Sequence, residues 1–492
     1  MGFPLLYEIN TRCWLRELSA KTGRLISLKN VPEEQFTFWS RSGFTHIWLM
    51  GVWTTGPLAR AQALSAAAQD PRYAQALPAW TPADVDGSPY AIAEYQVPPH
   101  SGGEEALAAF RKKLHSYGLK LILDFVPNHL GLDHPWLKDR PDLFVQGLPS
   151  LPGGFRQETS TGVRWLAHGR DPYFSPWTDT VQLEYRSVET RTAMGDLLLS
   201  VARRCDGVRC DMAMLLINEV FSRTWEQHPV IGTRATGEFW ENAIAAVRRE
   251  KNDFLFLAEV YWGLDARLRS QGFDFTYDKP LYDAVFGGNP ADVPGRVNSL
   301  QESEIAHGAH FLENHDEVRV ASRLNFEEHR AAALLILALP GLRFLYEGQL
   351  TGARLQCPVQ LARRALEPEN VDIRNMYEKL LNTLKSSGVG YGSFKRLQPG
   401  FAWADNSTSQ YLVTLLWQTA KRGFDLVAIN FAPHRSQCNV SLPVEGLGES
   451  NWTMSDRLGT ECYERRGVDM VSQGLFLDLP AHGAQLFHFL PA

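Results

Sequence analysis

Residues 104–129 read EEALAAFRKKLHSYGLKLILDFVPNH and contain one full repeat of the pattern that decides the fold. Apolar residues recur at helical spacing over Glu104–Leu114, and Gly118 follows where helices commonly end on glycine. The apolar run Lys120–Asp124 comes next and predicts a short buried strand that leads into polar residues. The stretch therefore predicts one helix followed by one strand of an α/β protein.

The alternation of strand and helix continues along most of the chain. Further amphipathic stretches predict helices over Thr190–Ala202, Glu238–Arg248 and Glu327–Leu339. Eight strand-like runs without a G-x-G-x-x-G turn favour a closed (β/α)8 TIM barrel over an open doubly wound sheet. Besides Lys120–Asp124, the predicted strands are Leu5–Ile9, Thr45–Met50, Gly207–Asp211, Phe254–Glu259, Phe273–Tyr277, Ala309–Leu312 and Arg343–Tyr346.

Two segments interrupt this repeat. Residues 130–186 are rich in proline, glycine and aromatic residues and are too long for an ordinary loop, which predicts a short insertion domain after the third strand. The alanine-rich stretch Trp53–Ser88 predicts a lid or an extra helix.

After about residue 390 the pattern changes to alternating runs separated by turn residues, which predicts a C-terminal antiparallel β-sandwich. These runs are Tyr411–Gln418, Phe424–Asn430, Gln437–Leu442 and Gln485–Leu490. The predicted division is a catalytic barrel over 1–129 and 187–389, an insertion domain over 130–186 and a sandwich over 390–492.

Composition excludes several classes of protein. The 492 residues are 44% hydrophobic and 21% charged, with a formal net charge of -6, which indicates a globular chain without a basic stripe for nucleic acid. The six cysteines form no C-x-x-C pair and are interpreted as reduced thiols, most of them buried. The most apolar run, Ala331–Leu345, is too short to span a membrane, and the first residues do not resemble a signal peptide. We expect a cytoplasmic protein without a membrane partner, and the sequence does not predict its oligomeric state.

Polar residues follow the predicted strands where the active site of a barrel lies. Strand alternation places Arg209 and Asp211 on one face, where the arginine should lower the pKa of the aspartate and keep it ionised as a nucleophile. Glu259 ends an apolar run, which should raise its pKa as a general acid requires. Asp316 and His315 could bind substrate hydroxyls.

One ionised and one protonated carboxylate form the minimal machinery of a glycosidase. A single buried Asp–Arg pair is usually structural, and a single inward histidine is usually a satisfied core residue. Four strand ends that carry such groups together favour a catalytic site.

These strand ends resemble the four conserved regions of glycoside hydrolase family 13, the α-amylase family. The regions read DFVPNH over 124–129, GVRCD over 207–211, FLAEV around Glu259 and FLENHD over 311–316. The resemblance extends over essentially the whole chain and includes SPYAIAEY over 88–95 and GLRFLYEGQ over 341–349. It implies a double-displacement reaction at an α-glucosidic bond with retention of configuration.

The resemblance also implies residue roles. Asp211 would be the nucleophile, Glu259 the general acid/base, and Asp316 the carboxylate that binds the 2- and 3-hydroxyls of the sugar. Arg209 would orient Asp211. The resemblance assigns the remaining substrate contacts to Tyr90, which would stack beneath the sugar, and to His129 and His315, which would hydrogen-bond it.

The chain departs from the family pattern at two places. Many α-amylases carry Lys-His after the nucleophile motif, where this chain has Met214-Leu215, which argues against starch and favours smaller α-glucosides. The insertion has no clear cluster of aspartates for the calcium that many relatives hold. We therefore expect no cofactor and no metal site. Calcium is the alternative, with Asn128 as the one candidate ligand and a loop-fixing amide as the competing interpretation.

The sequence thus predicts a retaining α-glycosidase or transglycosylase acting on malto-oligosaccharides or small α-glucosides. The alternative is a glucosyl-transferring enzyme, such as a glucanotransferase, isomerase or phosphorylase. A non-catalytic sugar-binding relative is the alternative from another class. Such relatives usually lack a catalytic carboxylate, whereas this chain retains all three.

Overall fold

The computed structural model describes residues 2–149, 151, 153–420 and 423–492 and confirms the predicted TIM barrel. Eight parallel strands form a closed barrel in which each strand pairs with its neighbours in chain order, and the last pairs with the first. In chain order the barrel strands are Leu5–Asn10, His46–Met50, Lys120–Phe125, Gly207–Cys210, Leu255–Ala258, Phe275–Tyr277, Gly308–His310 and Leu342–Tyr346.

Helices follow the barrel strands and cover the barrel from outside. The helix Gly103–Ser116 is followed by Gly118 with a φ of 73°, a conformation that favours glycine. A capping box at Asn325 begins the helix Phe326–Ala338, which is buried along most of its length. The other helices are Thr11–Thr22, Glu33–Arg41, Pro57–Ala67, Pro71–Ala76, Trp136–Asp139, Val188–Arg204, Asn218–Thr224, Phe239–Glu250, Asp265–Ser270, Lys279–Phe286, Asp292–Ser299, Glu302–Ile305, Val371–Lys385 and Gly467–Gln473.

Inward-facing side chains fill the barrel and support the site above them. Leu6, Trp48, Ile122 and Phe344 belong to one buried cluster inside the barrel. A Cβ on Gly207 would lie 2.6 Å from the Leu255 carbonyl oxygen, so the fourth strand needs glycine there to pair closely with the fifth. This pairing fixes the height at which the polar ends of the two strands emerge.

The segment after the third barrel strand forms small antiparallel sheets at the mouth of the barrel. The strand His129–Gly131 pairs with Thr180–Gln182, and Gly154–Thr159 pairs with Gly162–Ala167. The pair of short strands brings the chain back to the barrel before the helix that begins at residue 188.

The stretch predicted as a lid contains the helices Pro57–Ala67 and Pro71–Ala76. It is tied to the segment that follows the eighth strand, because Asp84 forms an ion pair with Arg363 at 2.7 Å. The backbone N–H of Asp86 donates to the Gln360 carbonyl oxygen at 2.9 Å. Two segments that are distant in sequence therefore form one wall beside the barrel mouth.

The C-terminal part consists of two antiparallel sheets, as predicted. A buried apolar cluster lies between them, and the indole N–H of Trp417 donates to the Ala338 carbonyl oxygen of the barrel at 2.9 Å. The residue numbers that divide the chain into domains stay a prediction. The six-stranded sheet contains Ser393–Leu397, Leu412–Gln418, Phe424–Asn430, Ala484–Pro491, Asn451–Asp456 and Cys462–Arg466, and the three-stranded sheet contains Gly400–Phe401, Ser436–Val440 and Leu475–Leu479.

The cysteines are free thiols, as the sequence predicts. Five are buried, and Cys462 is exposed. Within the described ranges, no helix has the length and apolar character that crossing a membrane requires.

Candidate active site

The end of the fourth barrel strand holds Asp211 beside a buried arginine. Arg209 is fully buried and donates from Nη1 to Asp211 Oδ1 at 2.7 Å. The backbone N–H of Asp211 donates to the Phe125 carbonyl oxygen of the third strand at 2.9 Å. The next residue, Met212, adopts a φ of 41°, which is strained for a side chain of this size. The turn ends the strand directly after Asp211 and leaves this carboxylate at the barrel mouth.

The pKa of Asp211 differs from the sequence-based expectation. Burial raises the pKa of Asp211 above its ordinary value, and the charge and hydrogen bond of Arg209 offset only part of this effect. The charge of Asp316 raises it further. The expected lowering was wrong because it considered the adjacent arginine but not the depth at which Asp211 is buried or the effect of the Asp316 charge.

Glu259 follows the fifth strand and shares the same arginine. Its Oε2 lies 2.7 Å from Arg209 Nη2 and accepts a hydrogen bond from the Met212 backbone N–H at 2.8 Å. The hydroxyl of Tyr261 donates to Oε1 at 2.8 Å. Burial raises the pKa of Glu259 to about 7, with Arg209 opposing and Asp211 adding to the rise. At neutral pH this carboxyl group can hold or release a proton, as acid–base chemistry requires.

Asp316 follows the seventh strand and faces the open cleft, with half of its side-chain surface exposed to solvent. Its Oδ2 lies 3.0 Å from His315 Nε2. The protein atoms around the cleft disfavour its charge, but the charge and hydrogen bond of His315 outweigh them and lower the pKa of Asp316. The site therefore contains an ionised carboxylate that can accept hydrogen bonds from a sugar.

Tyr90 and His129 occupy different environments. The hydroxyl of Tyr90 lies 2.6 Å from His315 Nε2, and its ring stacks on that imidazole with centroids 5.4 Å apart. His129 is buried beside Trp177, and burial lowers the pKa of His129 to about 4, so it is neutral at pH 7. Side-chain contacts thus join six of the seven predicted residues into one cluster, whereas His129 reaches it through the backbone of Tyr90.

Asn128, the candidate calcium ligand, is paired with another amide. Its Nδ2 donates to Gln182 Oε1 at 3.1 Å, and Gln182 Nε2 donates to Asn128 Oδ1 at 2.9 Å. The reciprocal pair joins the end of the third strand to the last strand of the insertion. Among the residues described, no group of three or more His, Cys, Asp or Glu side chains is arranged to hold a metal ion.

Met214 and Leu215, which replace the Lys-His pair, do not face the cleft. Both side chains are buried in the main core, in the short 3-10 helix Ala213–Leu216. The side of the cleft beside Glu259 is instead lined by apolar and acidic groups together with Lys279, around a cavity of about 410 Å³. Its lining includes Phe174, Met212, Tyr261 and Trp262.

Three further polar residues of the site were given no role by the sequence analysis, although Asp124 begins the motif over 124–129. Glu8 lies in the first strand and contacts His315, Tyr261 donates to Glu259, and Asp124 accepts hydrogen bonds from the Trp48 indole and the Gly51 backbone. A carboxylate inside the otherwise apolar run Leu5–Ile9 was the available signal for Glu8. No pattern in the sequence pointed to Tyr261.

Comparison with known proteins decides the family. Residues 43–274 match the family model described as "Alpha amylase, catalytic domain". Residues 43–274, a little under half of the chain, are thus identified with the α-amylase family. The resemblance that the four motifs carry is thereby confirmed.

The relatives are distant in sequence. The chain is 25% identical over 251 residues to alpha-amylase MalA of Haloarcula japonica, covering 50% of this chain and 33% of that protein. It is 25% identical over 320 residues to an intracellular maltogenic amylase of Bacillus subtilis, covering 60% of this chain and 50% of the relative. The chain thus spans about a third to a half of the length of these two α-amylase-family relatives.

Solved structures share the fold over the whole chain. The maltogenic alpha-amylase AmyB of Thermotoga neapolitana superposes with a TM-score of 0.68 at 17% identity, covering 99% of both chains. At this identity the match supports the fold of the chain and not its substrate.

Proposed function

We propose that this protein is a retaining α-glycosidase or transglycosylase that cleaves α-glucosidic bonds in malto-oligosaccharides or small α-glucosides by double displacement. The observation that carries the proposal is the Arg209 guanidinium, which lies 2.7 Å from both Asp211 and Glu259. Two carboxylates held by one guanidinium suit the short separation of about 5–5.5 Å that retaining glycosidases use. The wider spacing of inverting enzymes would leave room for a water molecule between them.

In this mechanism Asp211 attacks the anomeric carbon while Glu259 gives its proton to the leaving oxygen. The bond between the anomeric carbon and that oxygen breaks, and an ester to Asp211 forms. Glu259, now ionised, then takes a proton from water or a sugar hydroxyl, whose oxygen displaces Asp211. Asp316 accepts hydrogen bonds from the sugar hydroxyls beside the reacting carbon.

The wall beside Asp316 supports a short substrate. A cavity of about 410 Å³ contacts Asp316 and is lined by Arg72 and Gln75 of the lid and by Gln356 and Gln360 of the opposite segment. Since the lid is bonded to that segment, the wall should end the cleft on this side. We propose that it accepts the end of a glucan chain rather than its middle.

Transfer to a sugar is the second candidate function, and the cavity beside Glu259 favours it. Trp262 is exposed there with a φ of 62°, and its ring lies edge-on to Tyr173 at 4.9 Å. Aromatic faces bind apolar sugar surfaces, and an acceptor held there would compete with water for the glucosyl-enzyme. This role for Trp262 is part of the proposal.

Product analysis tests the proposed function. The purified protein would be incubated with maltose, malto-oligosaccharides, sucrose, trehalose and starch, with and without phosphate. We expect glucose or short transfer products from the small α-glucosides and slow cleavage of starch. Cleavage of none of these substrates would contradict the proposal, and phosphate-dependent release of a sugar phosphate would replace it with phosphorolysis.

Activity should depend on pH in a bell-shaped manner. Glu259 must be protonated in the first step, so kcat/KM should fall as pH rises through about 7. Asp211 must be ionised, and because its pKa is raised, kcat/KM should fall on the acid side at a pH above the ordinary value for aspartate. Measuring kcat/KM on maltose from about pH 4 to about pH 9 would record both the acid and the alkaline fall in activity. A constant rate across neutral pH would contradict the role of Glu259.

We further propose that the protein needs no metal ion, because the Asn128 amide is already paired with Gln182. EDTA is then expected to leave both Tm and kcat within experimental error of the untreated protein. A fall in Tm of several degrees that added calcium reverses would show that Asn128 or its neighbours hold calcium. Magnesium serves as the control cation.

A further inference from the structure

Glu8 is a fully buried carboxylate for which the mechanism above has no role. It lies two residues beyond Leu6 in the first barrel strand, so strand alternation directs both side chains into the barrel. An ionised carboxylate in such an interior is costly unless it is paired. Glu8 therefore needs a partner, and its partner is a residue of the site.

His315 joins Glu8 to the cleft. Its Nδ1 donates to Glu8 Oε1, while its Nε2 lies 3.0 Å from Asp316 Oδ2 and 2.6 Å from the Tyr90 hydroxyl. Glu8 Oε2 has no hydrogen-bond partner among the residues that the structure describes. Among the residues described, the hydrogen bond of the Glu8 side chain is therefore the one with His315.

We propose that Glu8 is a positioning residue that keeps His315 protonated on both ring nitrogens, so that Nε2 always presents a hydrogen-bond donor at the cleft. A neutral imidazole has only one N–H, and a donor at Nδ1 then leaves Nε2 as an acceptor. Such an acceptor would face the carboxylate of Asp316 and repel it. Burial raises the pKa of Glu8, whereas the charge and hydrogen bond of His315 and the charge of Arg209 oppose that rise. When Glu8 is ionised, its charge prevents this arrangement.

The charges around His315 support this assignment. Burial lowers the pKa of His315, but the charges of Asp316 and Glu8 and their hydrogen bonds outweigh it and raise the pKa well above its ordinary value. Asp316 is half exposed and would be engaged by substrate, whereas Glu8 is fully buried. The other titratable or charged groups around this pair are Tyr90, Asp124, Arg209, Asp211, Tyr277, Glu313 and Tyr346.

The test is the variant Glu8→Gln, whose amide oxygen can still accept from Nδ1 but carries no charge. The titration of His315 would be followed by NMR on histidine-labelled protein without substrate, and its signal assigned by its loss in His315→Gln. We expect the titration midpoint to fall by about one pH unit or more. His329, a buried histidine in contact with the Tyr377 hydroxyl, serves as the internal control, and its signal should be unchanged.

Glu8→Asp is the second variant, because it restores the charge with a shorter side chain. It should keep the midpoint closer to that of the unmodified protein than Glu8→Gln does. If Glu8→Gln fails to fold, Glu8→Ala measured at low temperature takes its place, and an unchanged midpoint in that variant would overturn the proposal. An unchanged midpoint in folded Glu8→Gln would overturn it directly.

The catalytic readout of this inference rests on the proposed function. In Glu8→Gln, KM should rise by about tenfold, and the products should be the same. The alkaline limb of the pH profile should shift to lower pH, because His315 would lose its second proton more readily. An equal loss of kcat at every pH, with the midpoint of His315 unchanged, would show a merely structural role. If the unmodified protein cleaved no glycoside, the proposed function would fail, while the NMR titration would still decide the role of Glu8.

Discussion

Asp211→Asn is expected to lower kcat by about 10⁴-fold or more on every α-glucoside that the protein cleaves. Asparagine keeps the shape of the side chain and can still contact Arg209, but its amide is too weak a nucleophile to form the ester. The loss corresponds to ~5 kcal/mol of transition-state stabilisation. Initial rates under saturating substrate measure it, with circular dichroism and Tm to verify the fold.

Asp206→Asn is the matched control for this change. Asp206 directly precedes the same strand and forms ion pairs with Arg111 and His115 at the opposite end of the barrel. That end of a barrel contributes to stability rather than to catalysis. We expect Asp206→Asn to lower Tm and to leave kcat nearly unchanged. Near-normal turnover by Asp211→Asn would refute its assignment as nucleophile.

Glu259→Gln is expected to show the second largest effect, and one that depends on the leaving group. For maltose, kcat should fall by about 10³-fold, because the departing sugar oxygen needs the proton that glutamine cannot give. For α-glucosyl fluoride the first step should be nearly as fast as in the unmodified protein, since fluoride leaves without protonation. The ratio of the two rates measures the contribution of Glu259 as an acid.

Azide sharpens the test of Glu259. In the variant the second step lacks its base, and a small anionic nucleophile that needs no deprotonation should restore turnover and yield α-glucosyl azide. Equal losses for maltose and the fluoride, without rescue by azide, would mean that Glu259 is not the acid/base. Its raised pKa would then reflect burial alone.

The architecture could be predicted because its signals are local. Each barrel strand is a short apolar run, and the observed bounds of Gly207–Cys210 differ from the prediction by one residue. In the C-terminal sheet the observed bounds of Phe424–Asn430 match the prediction. The alternation of side chains along a strand is enough to place Arg209 and Asp211 on the same face. For the same reason the sequence could indicate which polar residues meet at the barrel mouth.

The energetics of the site could not be predicted in this way. The pKa of Asp211 depends on how deeply it lies and on Asp316, which is 105 residues away in the chain. Glu8 and His315 are 307 residues apart, and their contact exists only because the barrel closes. The sequence likewise could not show that Met214 and Leu215 pack into the core, so their replacement of Lys-His removes charge from the cleft without adding new contacts there.

The measurement that tests the central claim most directly is the capture of the glucosyl-enzyme. Glu259→Gln would be incubated with α-glucosyl fluoride, so that the intermediate forms readily and is released slowly. Mass spectrometry of the intact and digested protein would locate the sugar. We predict one glucosyl residue in ester linkage to Asp211. Two results would contradict the proposed double-displacement mechanism. One is turnover that releases β-glucose without forming an adduct, and the other is an adduct on a residue other than Asp211.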